Sequence, residues 1–113
     1  MGNSKNTVAI TKDQLDNEIF ARFGFHAGDH SAYGISSWKK DTLIALLKIF
    51  STYNIRVVSI PTQCCLTKQQ MAFQLQQYYE RFGLVFTPHE IHYISRDGFI
   101  ILYNALIEGK QGK

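Results

Sequence analysis

The sequence has only two cysteines, Cys64 and Cys65, and they are adjacent. A disulfide between neighbouring residues closes no useful loop, so both residues are expected to be thiols, which excludes a disulfide-stapled scaffold. The chain also shows no secretory signal and no apolar run long enough to span a bilayer. These absences predict an intracellular, cytoplasmic protein.

The sequence also lacks the short motifs of common catalytic and nucleotide sites. It contains neither a Gly-x-Gly-x-x-Gly loop nor a Walker motif, and Ser36-Ser37 has no nucleophile-elbow context. Cys64 or Cys65 could pair with a histidine as nucleophile and base, but no residue marks an oxyanion site beside them. We therefore expect no catalytic residues and no cofactor.

The four histidines form two pairs in the sequence, His26 with His30 and His89 with His92. Histidine beside a carboxylate suits zinc or iron. The spacing argues against a metal, because a His-x-x-x-His pair needs a helix to aim both rings and the segment around His26 is rich in glycine. On a strand, His89 and His92 would point to different faces. No metal site is therefore predicted.

The charge content is ordinary for a globular protein, and the excess of one sign is mild. Charged residues make up 19% of the chain, the formal net charge is +3, and Lys39-Lys40 is the one basic pair. Scattered basic residues give weak electrostatic support for a nucleic-acid partner. Aromatic residues, by contrast, are plentiful, with eight Phe, six Tyr and one Trp.

The most informative stretch of the chain is Asp41 to Ile60. Its apolar residues recur at helical spacing around most of the circumference, which predicts a buried helix over 38–53. Asn54 can adopt the left-handed conformation that ends a helix. Residues 55–60 are short, β-branched and followed by proline, which predicts a strand buried on both faces.

Two further helices are indicated by capping boxes. Thr11-Lys12-Asp13-Gln14 and Thr67-Lys68-Gln69-Gln70 predict helices over 12–23 and 68–82, and each helix is followed by a glycine. Between the first two helices, residues 24–37 contain three glycines and no periodicity. A loop of this length is typical of a functional segment, which Phe25, Tyr33 and Trp38 would pin to the core.

Residues 91–103 are predicted to form a β-hairpin. Asp97-Gly98 is a two-residue turn signal between two apolar runs, and both faces of the hairpin are apolar. The sheet would comprise strands 55–60, 91–95 and 99–104, with 7–10 as an optional fourth strand.

These elements together predict a single α/β domain over residues 1–113, with loose tails at about 1–6 and 108–113. A mixed sheet of three to four strands, ending in the β-hairpin, would be packed by about three helices. The alternative is a winged-helix-like α+β domain in which the hairpin is the wing.

The order of elements in residues 41–95 resembles the core of haloacid dehalogenase-type phosphatases. A helix feeds a buried strand ending at Thr62, the next helix ends at Gly83-Leu84, and Pro88-His89-Glu90-Ile91 makes the turn to the next strand. The family's Asp-x-Asp-Gly nucleophile motif is missing at the matching place, residues 8–13. The resemblance therefore implies a small or degenerate phosphatase-like hydrolase, in which Thr62 would contact phosphate.

The first functional hypothesis is a non-enzymatic intracellular interaction module or regulator that binds a protein partner or a second copy of the chain. Apolar surface is in excess on the predicted hairpin, and residues 24–38 add an aromatic loop. The expected contact residues are apolar or aromatic: Phe73, Tyr93, Phe99, Ile101 and Tyr103.

The alternative hypothesis is a regulator that binds nucleic acid. Glutamine reads adenine and arginine reads guanine through paired hydrogen bonds in the major groove. The candidate residues form a row along the third helix and continue to the hairpin tip: Gln70, Gln74, Gln77, Arg81 and Arg96.

The first residues of the chain, MGNSKN, resemble an N-myristoylation signal in which Gly2 is acylated. The usual small hydroxyl residue at the sixth position is replaced by Asn6. A membrane contact is expected only if Gly2 is acylated, and one acyl chain gives marginal binding.

Overall fold

The computed structural model describes residues 10–57 and 63–108, and this part of the chain is mostly helical. Its α-helices are α1 (Lys12–Phe23), α2 (Lys40–Tyr53), α3 (Lys68–Tyr78), α4 (Pro88–Tyr93) and α5 (Arg96–Tyr103). Short 3₁₀ helices lie at Ala27–His30, Gly34–Ser37 and Glu80–Phe82, and a π-helical turn follows α5 at Asn104–Glu108. No helix among these combines the length and the apolar character needed to cross a membrane.

The predictions for the first three α-helices are confirmed to within a few residues. Both capping boxes form, with Thr11 accepting from Gln14 N and Thr67 accepting from Gln70 N. Gly24 and Asn54 end α1 and α2 in the left-handed conformation, with φ of 88° and 49°. Local sequence signals therefore mark the starts of α1 and α3 and the ends of α1 and α2, whereas α2 begins after Lys39 without a side-chain cap.

The predicted sheet is wrong. The described residues contain no strand, and their one β-bridge is an isolated antiparallel pair between Ser31 and Ile94. Residues 55–57 of the predicted central strand are irregular, whereas 58–60 and 7–9 lie outside the described residues. The winged-helix alternative is also wrong, because the segment that would form its wing is helical.

The predicted hairpin is replaced by α4 and α5. A third capping box starts α4, in which Thr87 accepts from Glu90 N and Pro88 occupies the first turn. Ser95 caps α5 by accepting from Gly98 N. Asp97 and Gly98 therefore lie in the first turn of a helix rather than in a hairpin turn.

The helices share one hydrophobic core. α1 packs on α2, α3 packs on α5, and residues 24–39 cross between the two pairs to reach α4 and α5. Gly98 is required where this crossing meets α5, because a Cβ atom there would lie 2.8 Å from the Cβ of His30. The glycine thus serves close packing and not a tight turn. The predicted tails lie almost entirely outside the described residues.

Candidate functional site

The residues predicted to read nucleic acid are mostly engaged within the protein. The Gln70 side chain caps α3, and Gln74 accepts a hydrogen bond of 3.1 Å from the Tyr103 hydroxyl. Arg81 donates to the Tyr53 hydroxyl at 2.8 Å. These interactions hold the helices together, so the row on α3 does not form a set of free base-reading groups.

The other two members of that set lie in different settings. Gln77 is exposed near the end of α3. The Arg96 guanidinium instead donates to the carbonyl oxygens of Cys64 and Leu66, the second at 2.7 Å. Because α5 is not a hairpin strand, Arg96 is a helix N-terminal residue that holds a neighbouring segment, and the prediction that it tips a wing is wrong.

The residues predicted to bind protein do not form one surface. Phe99 and Tyr103 are buried in the core, and Ile101 is partly buried, because the helix turns them inward. Phe73 is 57% exposed on α3. Tyr93 is partly exposed at the end of α4. The lipidation candidate Gly2 and the phosphate-contact candidate Thr62 both lie outside the described residues.

The segment that does organise a surface is residues 24–39, hereafter the long connection. Asp16 of α1, which is 3% exposed, accepts hydrogen bonds from Ala27 N at 2.7 Å and from Gly28 N at 3.0 Å. His26 Nδ1 lies 2.7 Å from the same carboxylate but is not aligned for a hydrogen bond with it. Two backbone donors satisfy a buried carboxylate well, so Asp16 fixes the start of the long connection.

A second buried carboxylate holds the other end of the long connection. Glu90 of α4 is fully buried and accepts from Lys39 N at 2.8 Å through Oε2. Its Oε1 accepts from Thr87 N at 2.9 Å, which completes the capping box of α4. One side chain therefore caps α4 and ties the start of α2 to it.

Buried aromatic residues fix the middle of the long connection. Phe25 and Trp38 are each 1% exposed and meet edge to face, with ring centroids 6.0 Å apart. The Trp38 indole N–H donates to Ala27 O at 3.0 Å. The prediction that Phe25 and Trp38 pin this segment is confirmed. The same prediction for Tyr33 is wrong, because 63% of this residue is exposed.

Tyr33 packs against the surface of α4 and not against the core. Its ring centroid is 5.0 Å from that of Tyr93, and the Tyr93 ring is 4.6 Å from each of the rings of His89 and His92. We call Tyr33, His89, His92 and Tyr93 the aromatic face. The backbone supports it, because Ala32 N donates to Tyr93 O at 2.9 Å.

A groove of about 630 Å³ adjoins the aromatic face and shares His92 with it. Pro88 and Ile91 provide apolar lining, and Lys68 and Arg96 also line it. Both cations already bind backbone carbonyls, since Lys68 Nζ donates to His92 O at 3.0 Å and to Ile94 O at 2.8 Å. Burial lowers the pKa of Lys68. This lysine links the end of α4 to the start of α3.

Titratable groups also cluster on the inner side of the long connection. The His30 ring stacks on Phe25 with centroids 5.4 Å apart, and burial lowers the pKa of this histidine. The nearby Asp29 and Asp97 oppose that shift. No group of three or more metal-ligating side chains forms in residues 10–57 and 63–108. His26 and His30 each pack against a phenylalanine ring, that of Phe20 and that of Phe25 respectively.

The surface can bind a flat or apolar group, because the exposed residues Tyr33, His89 and His92 lie beside a groove that is partly apolar. The chain matches no family model, no curated protein and no solved structure.

Sequence reasoning missed the aromatic face because its parts come from distant segments. The sequence does contain one signal for it, since Thr87-Pro88-His89-Glu90 has the spacing of a capping box with proline at the first helical position. That signal would have placed His89, His92 and Tyr93 on a short helix.

Proposed function

We propose that the protein is a non-enzymatic interaction module that binds an extended protein segment on the aromatic face and the adjoining groove. The observation that carries this proposal is the position of Tyr33. It is the most exposed large apolar side chain of the described residues. Its ring also packs against the ring of Tyr93, so it is not an isolated exposed side chain. Tyrosine is enriched at protein interfaces because it contributes large contact area at low entropic cost.

The anchoring of the long connection adds support. Asp16 and Glu90 hold the two ends of the segment that carries Tyr33, so the tyrosine is positioned before a partner arrives. Preorganisation of this kind lowers the entropic cost of binding. Exposed rings beside an apolar groove suit a segment containing proline or aromatic side chains, which dock between such rings.

The test is selection from a displayed library of random peptides on the immobilised wild-type protein. We expect enrichment of extended peptides with proline or aromatic residues. The affinity of an enriched peptide should fall by roughly tenfold or more in Tyr33→Ala, because a central aromatic contact carries much of the binding energy.

Phe73→Ala is the matched control, because Phe73 is similarly exposed but lies on α3. It should leave the affinity unchanged. Equal affinity of wild type and Tyr33→Ala would overturn the proposal, and weakened binding in Phe73→Ala alone would move the binding surface to α3.

Single-stranded nucleic acid is the second candidate occupant of the same surface. Exposed aromatic rings near Lys68 and Arg96 favour it, because bases stack on aromatic side chains while cations contact phosphates. Titration of a labelled oligonucleotide at low and high salt tests it. Binding that weakens steeply with salt and depends on Tyr33 would assign the face to nucleic acid, whereas no binding at low salt would remove this candidate.

A further inference from the structure

The segment that precedes α3 contains the two adjacent cysteines in different environments. Both are free thiols; Cys65 is exposed, whereas Cys64 is partly buried and packs against the hydrophobic core. The Arg96 guanidinium donates to the carbonyl oxygens of Cys64 and Leu66. We call this pair of hydrogen bonds the Arg96 clamp.

We propose that Cys64 and Cys65 form a reversible dithiol–disulfide site that low-molecular-weight disulfides such as glutathione disulfide oxidise, and that the Arg96 clamp opposes its oxidation. This proposal does not rest on the proposed function, because neither cysteine belongs to the aromatic face or lines the groove; only Arg96 is shared with the groove.

Geometry determines the kind of disulfide that this pair can form. Consecutive Cα atoms are about 3.8 Å apart, whereas bridged cysteines ordinarily have Cα atoms about 4.4–6.8 Å apart. A bond between Cys64 and Cys65 is therefore strained. Strained and exposed disulfides are the easily reduced ones that serve regulation, whereas structural disulfides resist reduction. The pair consequently suits a switch and not a staple.

The clamp acts on the peptide group that has to move. Ring closure includes the peptide bond between Cys64 and Cys65, and the carbonyl oxygen of that bond accepts from Arg96. One thiol packs inward and the other lies in solvent, so joining the two sulfurs requires this peptide group to rotate and Cys64 to leave its core contacts. Oxidation would thus release Arg96, which also lines the groove next to α4.

The chemistry needs no group beyond the two thiols and the oxidant. The exposed Cys65, as thiolate, attacks one sulfur of glutathione disulfide, which breaks its S–S bond and expels one glutathione thiolate. Cys64, as thiolate, then attacks the Cys65 sulfur and expels the second glutathione thiolate. The protein loses two electrons and two protons, and one glutathione disulfide becomes two glutathione molecules.

The experiment equilibrates the reduced full-length protein in glutathione buffers of stepped redox ratio, blocks remaining thiols by alkylation, and measures mass. The expected product is a monomer that lacks two hydrogen atoms and carries no alkyl group on either cysteine. Cys64→Ser and Cys65→Ser serve as controls, because each can gain one glutathione but cannot close the ring. Wild-type protein that yields only glutathione adducts or intermolecular dimers would overturn the site.

The clamp is tested by the redox ratio at which half of the protein is oxidised. Loss of hydrogen bonds from a charged donor should move this midpoint toward reducing conditions by roughly tenfold in Arg96→Ala. Arg96→Lys, which keeps the charge and one donor group, should shift it less. Arg81→Ala removes an exposed arginine elsewhere and should leave the midpoint unchanged. Identical midpoints in wild type and Arg96→Ala would overturn the role of the clamp.

Discussion

Two segments of the protein, the long connection and residues 63–67, are each held by hydrogen bonds from side chains of neighbouring helices. The long connection is held from inside, by the buried carboxylates of Asp16 and Glu90. Residues 63–67 are held from outside, by the exposed guanidinium of Arg96. In both segments the side chain satisfies backbone groups that helical hydrogen bonds leave without a partner.

The difference lies in what happens when each anchor is lost. Removing a buried acceptor leaves backbone N–H groups without a partner and without water, which is costly. Removing an exposed donor lets water replace it at little cost. The long connection is thus a fixed platform for Tyr33, whereas residues 63–67 are released more easily. This contrast is the reason for proposing a binding surface at the first segment and a switch at the second.

The largest loss of stability is expected from Glu90→Gln, a substitution that keeps the size of the side chain. The amide cannot accept from both Lys39 N and Thr87 N, so we expect the free energy of unfolding to fall by about 2–3 kcal/mol. Urea denaturation measures this change. Glu80→Gln is the control, because Glu80 is exposed, and it should change stability by less than about 0.5 kcal/mol. Equal effects of the two substitutions would show that the buried hydrogen bonds of Glu90 do not stabilise the fold more than an exposed carboxylate does.

Gly98→Ala tests the contact between α5 and the long connection. In an open helix, alanine stabilises relative to glycine by about 1 kcal/mol. Here its Cβ would lie 2.8 Å from the His30 Cβ, so we expect a loss of about 1–2 kcal/mol. Thermal unfolding gives the sign directly. A stabilised Gly98→Ala variant would contradict close packing of the long connection against α5.

Arg96→Ala should destabilise the reduced protein by about 1 kcal/mol, less than Glu90→Gln. The carbonyl oxygens of Cys64 and Leu66 lose a charged donor but remain near water. The same urea titration measures it, under reducing conditions. A loss as large as that of Glu90→Gln would show that residues 63–67 are as firmly fixed as the long connection.

Lowering the pH should reduce the stability of the protein by a smaller amount, through protonation of His30. Burial lowers the folded-state pKa below 6.5, so the folded protein binds fewer protons than the unfolded chain. Stability is then complete above pH 6.5, and it falls as the pH drops from 6.5 toward the folded-state pKa. Denaturation of wild type and His30→Gln at stepped pH measures this. The variant should lose part of the decline, and identical pH profiles would refute the role of His30.

The sequence predicts the helix starts and ends better than the tertiary arrangement. Thr11, Thr67 and Asn54 act within one turn of the backbone, so their signals are readable locally. The Asp97-Gly98 pair led to the wrong prediction of a hairpin turn. The sequence alone does not distinguish a glycine that permits close packing from a glycine that permits a turn. The Asp16 contacts with Ala27 and Gly28 arise only from tertiary folding.

The candidate site was likewise hard to predict from the sequence, because its residues come together only through tertiary folding. Exposed Phe73 was one of the predicted contact residues. Tyr33 and Tyr93, by contrast, meet where the bridge between Ser31 and Ile94 joins two distant segments. The wrong hairpin placed Phe99 and Tyr103 at a surface, although their helical spacing along α5 turns both into the core.

The smallest effect on stability is expected from Tyr33→Ala, and it provides the most direct test of the fixed-platform view. Tyr33 is anchored by the long connection but does not support the core, so its removal should change the free energy of unfolding by less than about 0.5 kcal/mol. Unfolding and peptide affinity would be measured on the same variant. Near wild-type stability with binding weakened by roughly tenfold or more is the expected result. A destabilised variant that still binds would contradict it.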